Sequence, residues 1–281
     1  MSEPISQATK AKQLHALHHT NKLLILPNIW DVLGAKLLED LGYEAIATAS
    51  AAVAYANGYN DGENIPFANV LKNFTNIVHS INVPVTADIE SGYALTNDEL
   101  ENNIHKIIEA GIAGINIEDT NKQSGELFSL EEQHKRIELI KKVSAEIKID
   151  LFINARTDTF VHQKKFNSEN ELIKETIERG KAYKDAGANC FYPILMHQQN
   201  HIEEIVEQLK MPVNILMAPG IPNLKTLEQL GVARVSLGPG FLKYAIKAMK
   251  ELAFKLKSYN GLNEVISNDI TSDYLKKLVS K

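Results

Sequence analysis

The sequence predicts an α/β fold in which eight parallel strands close into a (β/α)8 barrel. Short apolar runs rich in Val, Ile and Ala alternate with longer amphipathic stretches along nearly the whole chain, as in parallel β/α proteins. Several amphipathic stretches end in "AG" or "LG" just before an apolar run, which is the rhythm of repeated βα units. A doubly wound open sheet is the alternative, but it usually needs fewer strands, and no G-x-G-x-x-G opens a helix after the first strand.

The eight predicted strands are short apolar runs of the kind that form buried strands of a parallel sheet. Their number matches the eight strands that such a barrel requires. In chain order they cover residues 23–26, 45–49, 83–88, 113–118, 149–155, 188–194, 213–218 and 233–238.

Helices are predicted between these strands from their start and stop signals. Thr96 and Asn97 form a cap before one amphipathic stretch, and Ser129 is followed three residues later by Glu132, the pattern of a capping box. A glycine closes most of these stretches, as at the left-handed end of a helix. The predicted helices lie within residues 31–42, 96–111, 129–143, 174–187 and 223–231.

The end of the chain departs from this rhythm. After about residue 250, Gly and Asn interrupt short amphipathic segments, and we expect helices that pack on the barrel or on a neighbouring subunit. Residues 1–281 are therefore predicted to form one domain, with the barrel over about 20–250 and a C-terminal helical extension over about 251–281.

Composition and charge exclude several classes of function. A formal charge of −5 and a pI near 6.0 do not provide the basic surface that nucleic-acid binding requires. The N-terminus lacks a signal-like apolar segment, and no stretch approaches the roughly 18 apolar residues of a membrane span. A single cysteine, Cys190, is expected to be buried and reduced. We expect a cytoplasmic protein with a small-molecule ligand and with no nucleic-acid or membrane partner.

Several familiar catalytic motifs are missing from the sequence. There is no G-x-S-x-G elbow and no P-loop. No lysine stands near the end of a predicted strand, which disfavours a Schiff-base aldolase. The "HALHH" segment, with His15, His18 and His19, is expected to mark a solvated helix face, with metal binding the less favoured alternative.

Charged side chains gather where three consecutive strands end, which is the edge that carries the chemistry of such barrels. Asp88 and Glu90 follow the third strand, Glu118 and Asp119 the fourth, and Arg156 the fifth. Because residues two apart on a strand share a face, Asp88 and Glu90 are expected to point the same way, whereas Asp119 faces the other way from Glu118. The other polar residues near strand ends are Asn28, Trp30, Asp31, Ser50, Asn154, Asp158 and Asn214, and a Gly238–Gly240 turn follows the last strand.

Converging carboxylates repel one another unless a positive charge lies between them. A hard divalent cation with oxygen ligands satisfies this need, and Mg²⁺ takes one or two direct carboxylates while others hold its waters. The planar fork of Arg156 suits a substrate carboxylate. Any one of these acids alone could instead cap a helix or pair with a lysine.

These residues resemble the isocitrate lyase and phosphoenolpyruvate mutase superfamily of (β/α)8 enzymes. The resemblance runs from about residue 20 to 245 through "LPNIWDVLGAKLLEDLGYEAIATAS", "ANGYNDGE", "PVTADIESGY", "AGINIED", "INARTD" and "NILMAPGIP…GVARVSLGP". It implies a barrel of that superfamily's type. It also implies a bound Mg²⁺, with Mn²⁺ as the alternative.

The resemblance implies a role for individual residues of the metal site. Asp88 matches the first acid of the family's D-x-D-x-G-Y motif, the direct metal ligand, and Glu90 stands where an Asp is more usual. Glu118 matches the glutamate of the fourth strand. Asp61, in "YNDGE", matches a loop aspartate that completes the metal's outer shell.

It also implies the substrate-binding and catalytic residues. Arg156 matches the arginine that grips the substrate carboxylate, and Ser50 and Ala51 match a turn that receives substrate oxygens. Gly92 and Tyr93 match the Gly-Tyr turn beside the metal. Asn214, at the start of the seventh strand, joins the predicted substrate-binding residues in this comparison.

The loop after the fourth strand departs from both branches of the superfamily. It reads "EDTNKQSGELFS", without the cysteine that acts as the acid in isocitrate and 2-methylisocitrate lyases. It is also shorter than the loop of the phosphonate mutases. Lys122 and Ser124, with Asn121, are expected to close over the substrate, and a mobile loop without chemistry is the alternative.

The function implied is a Mg²⁺-dependent lyase that acts on a small 2-oxo or 2-hydroxy carboxylate. It would cleave a C–C bond or decarboxylate its substrate through an enolate. The alternatives are an enzyme of C–P bonds, resembling phosphonopyruvate hydrolase or phosphonomutase, and a keto-acid binding protein without catalysis. The resemblance further implies a homo-oligomer, a dimer or homotetramer, that exchanges helices near residues 241–257.

Overall fold

Nine short parallel strands carry the barrel in the computed structural model, which describes residues 5–280. The outermost residues of the predicted domain, 1–4 and 281, lie outside the described residues. The strands are β1 (Leu24–Leu26), β2 (Asn28–Ile29), β3 (Ile46–Thr48), β4 (Val85–Asp88), β5 (Gly114–Glu118), β6 (Phe152–Thr157), β7 (Cys190–Pro193), β8 (Asn214–Leu216) and β9 (Arg234–Ser236).

Pro27 follows the first predicted strand, over residues 23–26, and separates β1 from a second short strand, β2. Proline has no N–H to give to a strand ladder, and the chain changes partner at this residue. Strand β1 pairs with β9, whereas β2 continues beyond the predicted end of the strand and pairs with β3. The β1/β2 segment therefore links the two hydrogen-bonded sheets of the barrel.

The strands follow one another around a ring in chain order. One sheet runs from β2 to β7 and the other joins β8, β9 and β1, all in parallel. A parallel bridge between Phe191 and Val213 connects β7 to β8. This arrangement confirms the predicted (β/α)8 barrel rather than an open doubly wound sheet.

Helices connect successive strands and cover the outside of the barrel. Those predicted from caps and glycines correspond to α2, α5, α6, α7 and α9, and α3, α4 and α8 fill connections that the sequence pattern leaves unassigned. The helices are α1 (Gln7–Leu17), α2 (Val32–Asp40), α3 (Ser50–Ala56), α4 (Phe67–Ser80), α5 (Asn97–Glu109), α6 (Leu130–Ile147), α7 (Glu169–Asp185), α8 (Gln199–Leu209), α9 (Leu224–Gln229), α10 (Gly240–Lys257), α11 (Leu262–Ile266) and α12 (Ser272–Val279).

The helix starts show which capping signals are used. Thr96 and Glu99 form a complete capping box at the start of α5. At α6, the Ser129 hydroxyl accepts a hydrogen bond from the Glu132 N–H at 3.1 Å. The return bond from Ser129 N–H to the Glu132 side chain is absent among the described residues, so only half of the predicted box forms.

Alternation along each strand separates the hydrophobic core from the polar interior of the barrel. On β5, Ile115 and Ile117 are fully buried in the same core cluster as Ile104 of α5. Asn116 and Glu118 lie on the opposite face and point toward the barrel axis. Burial of isoleucines in this layer stabilises the fold by about 1.5–3 kcal/mol each.

Helix α1 closes the amino-terminal end of the barrel. Leu14 packs with Leu26 and Phe152 in a small apolar cluster. The His18 ring stacks on Phe152 with 4.1 Å between ring centroids and is only 2% exposed. The expectation that "HALHH" marks a solvated face is therefore wrong for His18, because the helix turns this side chain into the barrel.

The C-terminal extension predicted over about 251–281 is helical and contains the end of α10 together with α11 and α12. Helix α12 packs beside α2 and buries Leu278. Helix α10 buries none of its residues, and Tyr244, Met249 and Phe254 are each more than 60% exposed. Within residues 5–280, no helix has the length and apolar character needed to cross a membrane.

Candidate active site

A cavity of about 260 Å³ opens at the carboxyl ends of the strands. This is the edge at which barrels of this type carry their chemistry. The cavity brings together five residues that the sequence predicted for the site: Ser50, Ala51, Asp61, Asp88 and Arg156.

Asp88 is held rigidly at the end of β4. Its Oδ2 accepts hydrogen bonds from the Ser50 N–H at 3.1 Å and the Ser50 hydroxyl at 2.9 Å. Its Oδ1 accepts one from Asn116 Nδ2 at 3.0 Å. The hydroxyl of Ser50 therefore orients Asp88 in this structure, and the carboxylate is held from the start of α3 and from β5.

A second group of acids lies beside this cavity. Glu90 and Glu118 are each 1% exposed, and Lys122 forms ion pairs with both. Arg156 Nη1 lies 2.8 Å from Glu118 Oε2, and its Nε lies 2.6 Å from Asp158 Oδ1. A lysine thus does reach the site, from the loop rather than from a strand end, and its ammonium group is occupied by two carboxylates.

The acidic side chains of this region outnumber the cations that pair with them. Of the five carboxylates, those of Asp61, Asp88, Glu90, Glu118 and Asp158, three form ion pairs with Lys122 or Arg156. Arg234 and Lys243 also line the cavity but form no ion pair among the described residues. Burial raises the pKa of Glu90 to about 7, and Asp88 adds to that shift although Lys122 opposes it. Burial also raises the pKa of Glu118. The protein alone therefore disfavours the fully ionised state of this cluster.

The donor set fits a hard divalent metal. Asp61, Asp88, Glu90 and Glu118 offer carboxylate oxygens, the ligands that Mg²⁺ and Mn²⁺ prefer. Oε2 of Glu90 and Oε1 of Glu118 are sealed from solvent, and the ammonium group of Lys122 is the only cation that contacts both of them among the described residues. Another group, Glu101, His105 and Glu146, could also hold an ion, but it lies on the outer helices α5 and α6, away from the cavity.

The backbone that carries Glu90 adopts an unusual conformation. Glu90, Gly92 and Tyr93 have φ values of 51°, 98° and 52°, in the left-handed region that non-glycine residues rarely occupy. A Cβ on Gly92 would lie 2.6 Å from Leu100 Cδ1. Gly92 is thus required by the turn and its packing, and it lies behind the loop rather than on the cavity wall.

Glu63 holds this loop from outside the predicted site. Its Oε1 accepts hydrogen bonds from the Ser91 N–H at 3.0 Å, the Ser91 hydroxyl at 2.7 Å and the Tyr93 N–H at 2.9 Å. The Tyr93 hydroxyl donates to Glu90 Oε1 at 3.2 Å. From below, buried Arg136 donates to the Ser91 carbonyl. The turn that presents Glu90 is therefore fixed on both sides.

Asp119 serves a different part of the molecule, as alternation along β5 predicts. It is fully buried and accepts hydrogen bonds from the Thr157 hydroxyl at 2.7 Å and the Tyr183 hydroxyl at 2.6 Å. Arg179 Nη1 lies 3.1 Å away and neutralises it. Asp119 therefore supports the barrel from the helix side.

The loop after β5 folds back on itself in a short hairpin. Thr120 and Leu127 form an antiparallel bridge, and the Asn121 side chain accepts hydrogen bonds from the N–H groups of Gln123 and Ser124. Ser124 is exposed, and among the described residues its hydroxyl contacts only the Glu126 N–H. The hairpin thus brings Lys122 to the acids but leaves Ser124 outside the cluster.

Two other polar residues near strand ends have structural partners. Asp31 caps α2 by accepting a hydrogen bond from the Gly34 N–H at 2.7 Å. The Asn28 side chain donates to the Thr48 carbonyl and accepts from the N–H of Leu237. Both residues connect neighbouring elements at the rim.

Asn214 lies deeper than the predicted substrate contacts. It is fully buried on β8, its amide has no hydrogen-bond partner among the described residues, and it does not line the cavity. The cavity wall includes strand residues that were not predicted from the sequence, namely Asn116, Tyr192, Arg234 and Ser236. For Asn116 a signal was available, because it shares a face of β5 with Glu118. Strands β7 and β9 carry no predicted site residue that could have indicated the other three. Glu63 gave no such signal, because its role depends on the contact between two loops.

Comparison with known protein families shows to which family this chain belongs. A family model described as phosphoenolpyruvate phosphomutase matches residues 14–257, which is most of the chain. The chain belongs to the phosphoenolpyruvate phosphomutase family. The loop after β5 reads "EDTNKQSGELFS" in this chain and contains no cysteine.

Individual members of the family differ in the reactions their names describe. The chain is 26% identical to 2-methylisocitrate lyase of Halalkalibacterium halodurans, over 96% of this chain and 89% of that protein. It is 28% identical to oxaloacetate decarboxylase of Pseudomonas fluorescens, over 87% and 83% of the two chains. A Burkholderia cenocepacia protein provisionally named a phosphonomutase is 34% identical, with a TM-score of 0.82 and coverage of 87% and 98%. Family membership therefore indicates lyase or mutase chemistry without selecting one reaction.

Proposed function

We propose that this protein is a Mg²⁺-dependent lyase acting on a small 2-oxo or 2-hydroxy carboxylate. The observation that carries this proposal is the placement of Arg156 and Asp88 on the wall of one cavity, beside the buried acids Glu90 and Glu118. A 2-oxo acid carries a carboxylate and a neighbouring 2-oxo oxygen. The arginine fork suits the carboxylate, and a metal held by the carboxylate cluster suits the 2-oxo oxygen.

Arg156 is the residue that we assign to the substrate carboxylate. Glu118 and Asp158 hold its Nη1 and Nε and so fix the plane of the guanidinium. Its Nη2 has no partner among the described residues and remains available for a ligand. A fork held in this way binds a carboxylate with little loss of side-chain entropy.

Asp88, Glu90, Glu118 and Asp61 are the residues that would hold Mg²⁺. The ion supplies electrostatic stabilisation for the negative charge that develops on the substrate's 2-oxo oxygen. Ser50 keeps Asp88 in place through its N–H and hydroxyl. The first N–H groups of α3, including that of Ala51, have no intrahelical acceptors and face the cavity as donors for substrate oxygens.

For a 2-oxo acid, the proposed reaction breaks the bond between C3 and C4, so that the electron pair is left on C3, the carbon next to the 2-oxo carbon. The electron pair of that bond stays on the 2-oxo fragment as its enolate, and carbon dioxide or an oxo compound departs. The enolate carbon then takes a proton. Lys122 Nζ is our candidate donor, with the Tyr93 hydroxyl as the second acid in reach of this cluster.

A screen of candidate substrates tests this function. Oxaloacetate, 2-methylisocitrate and other 2-oxo and 2-hydroxy acids would be incubated with the protein and Mg²⁺, and pyruvate formation would be followed. Turnover that disappears with a chelator supports the proposal. Tight binding of Mg²⁺ and oxalate without any turnover would instead favour a keto-acid binding protein.

C–P bond chemistry is the second candidate function. The 34% identity to the provisionally named phosphonomutase favours it. Phosphonopyruvate would bind through the same Arg156 and metal site. Release of phosphate, or a change in ³¹P chemical shift on incubation with phosphonopyruvate, separates this candidate from C–C cleavage.

We also propose that the protein is a homo-oligomer that exchanges its C-terminal helices. Helix α10 exposes Tyr244, Ile246, Met249 and Phe254 to solvent in the isolated chain. Several large apolar side chains exposed on one helix indicate a protein contact. A second copy of the same helix region provides a matching apolar surface.

A further inference from the structure

Arg234 of β9 is a buried cation without an acidic partner. It is 2% exposed, its Nε donates to the Ser236 hydroxyl at 2.9 Å, and its Nη1 is sealed without any partner. No carboxylate in residues 5–280 forms an ion pair with it, and Asp88 acts on it only from beyond ion-pair distance. A charge removed from water in this way is costly unless an opposite charge compensates it.

The other buried arginines of the barrel are accounted for by their contacts. Arg156 pairs with Glu118 and Asp158, and Arg179 pairs with Asp119. Arg136 donates to a backbone carbonyl, packs over Phe128 and lies away from the cavity. Arg234 differs from all three because it is uncompensated and also lines the cavity.

The surroundings of Arg234 are polar and incompletely satisfied. Tyr192 lines the same cavity, and its hydroxyl has no hydrogen bond to the described residues. Burial raises the pKa of Tyr192, while Arg156 and Arg234 both oppose that shift, so the phenol lies within electrostatic reach of both guanidinium groups. Asn214, opposite Arg234 in the β8–β9 register, also has an unpartnered amide.

We propose that Arg234, with Tyr192 and Ser236, forms an anion subsite on the floor of the cavity. It binds a second, terminal anionic group of the substrate, a carboxylate or a phosphonate. This inference rests on the proposed function, because the 2-oxo acid end of the same molecule is taken to lie at Asp88 and Arg156. Substrates with a single carboxylate leave Arg234 uncompensated, so the subsite selects doubly anionic substrates.

The test compares ligands that differ only at the terminal group. Calorimetry on the full chain with Mg²⁺ would measure binding of 2-oxoglutarate against 2-oxovalerate, and of 3-phosphonopyruvate against 2-oxobutyrate. Oxalate, which needs only the metal and Arg156, serves as the reference ligand. The variants are Arg234→Met and Arg234→Lys, with Lys243→Met as a matched control, since Lys243 is an exposed cation on the rim of the same cavity.

We expect the wild type to prefer a doubly anionic ligand by about 10- to 100-fold, the range of a hydrogen-bonded charge pair. Arg234→Met should remove this preference and leave oxalate affinity within about 2-fold, while Lys243→Met keeps both. A preference for 2-oxoglutarate assigns the terminal group as carboxylate, and one for 3-phosphonopyruvate assigns it as phosphonate.

Failure of the subsite and failure of the proposed function give different results. If the wild type does not bind oxalate with Mg²⁺, the proposed function is wrong. If oxalate binds but the wild type shows no preference, or Arg234→Met retains it, the subsite is wrong. Should Arg234→Met not fold, Arg234→Lys keeps the charge on a shorter reach and must lower the preference while oxalate still binds.

Discussion

At the scale of single residues, alternation along the strands explains most of what the sequence could predict about the site. Asp88, Glu118 and Arg156 share one parity on neighbouring strands, and the structure brings them to one edge. The same argument correctly predicted that the Asp119 side chain points away from this edge. Contacts between loops could not be read in this way, so Glu63 and the approach of Lys122 to two glutamates emerge only from the folded chain.

We expect substrate binding to depend on the planar guanidinium of Arg156 and not only on its positive charge. In Arg156→Lys, a point charge replaces a planar group held by Glu118 and Asp158, and we expect KM for the 2-oxo acid to rise about 10- to 100-fold. Steady-state kinetics at saturating Mg²⁺ measures this. An unchanged KM in a variant that melts normally would mean that Arg156 does not bind the substrate.

Glu63 is expected to stabilise the turn that carries Glu90. Glu63→Ala removes one acceptor shared by three donors, and we expect a loss of about 1–3 kcal/mol in the free energy of unfolding together with weaker Mg²⁺ binding. Denaturant unfolding and a Mg²⁺ titration measure the two effects. Glu109→Ala, at an exposed helix position, is the control and should stay within about 0.5 kcal/mol of the wild type.

At the scale of elements, caps and glycines located the helices between strands well because these signals are local. Thr96 with Glu99, and Gly111 at the end of the same helix with φ of 90°, show this for α5. Two features were not local. The chain changes its pairing partner at Pro27, from β9 to β3, and both partners are distant in the sequence. His18 is buried because α1 covers the open end of the barrel.

The exposed face of α10 leads to a prediction about assembly. Phe254→Glu places a charge on that face, where Phe254 is 62% exposed in the isolated chain, and we expect the oligomer to dissociate into smaller species. Size-exclusion chromatography with light scattering measures the mass. Lys174→Glu, at an exposed position of α7, should leave the mass unchanged, and an intact oligomer in Phe254→Glu would exclude α10 as the interface.

At the scale of the whole molecule, one end of the barrel forms the binding site and the other end closes the core. The carboxyl end collects charged groups for binding, and the amino end is sealed by α1 with Leu14 and His18 against Phe152. The overall barrel was predictable because eight apolar runs alternate with helices in sequence. The polar layer between the two ends, which contains Arg234 and Asn214, was not predictable. A single polar residue inside an apolar strand does not indicate that polar residues of other strands lie beside it.

Burial of His18 makes the stability of the whole fold depend on pH. Burial, aided by the charge of Arg234, lowers the pKa of His18 to about 3, whereas an unfolded histidine titrates near 6.5. Below about pH 6.5, His18 binds a proton in the unfolded chain but not in the folded chain. The free energy of unfolding is therefore unaffected by protonation of His18 at neutral pH and falls as the pH drops below about 6.5, by about 1.4 kcal/mol per pH unit.

Replacing His18 is expected to flatten that dependence. In His18→Gln, the free energy of unfolding should fall less steeply between about pH 6 and pH 4 than in the wild type, by the slope that one histidine supplies. Urea unfolding at several pH values measures it. His19→Gln, at an exposed neighbouring position, should keep the wild-type slope, and an equally steep slope in His18→Gln would show that another group governs acid sensitivity.

We propose that Asp88 anchors a metal on which turnover of a 2-oxo acid depends. Mg²⁺-dependent pyruvate formation from the best substrate of the screen would be compared between the wild type and Asp88→Ala, with Mg²⁺ binding followed by calorimetry. We expect Asp88→Ala to fold, to lose Mg²⁺ binding and to lose at least about 100-fold in kcat/KM. Undiminished turnover and Mg²⁺ binding in folded Asp88→Ala would contradict it.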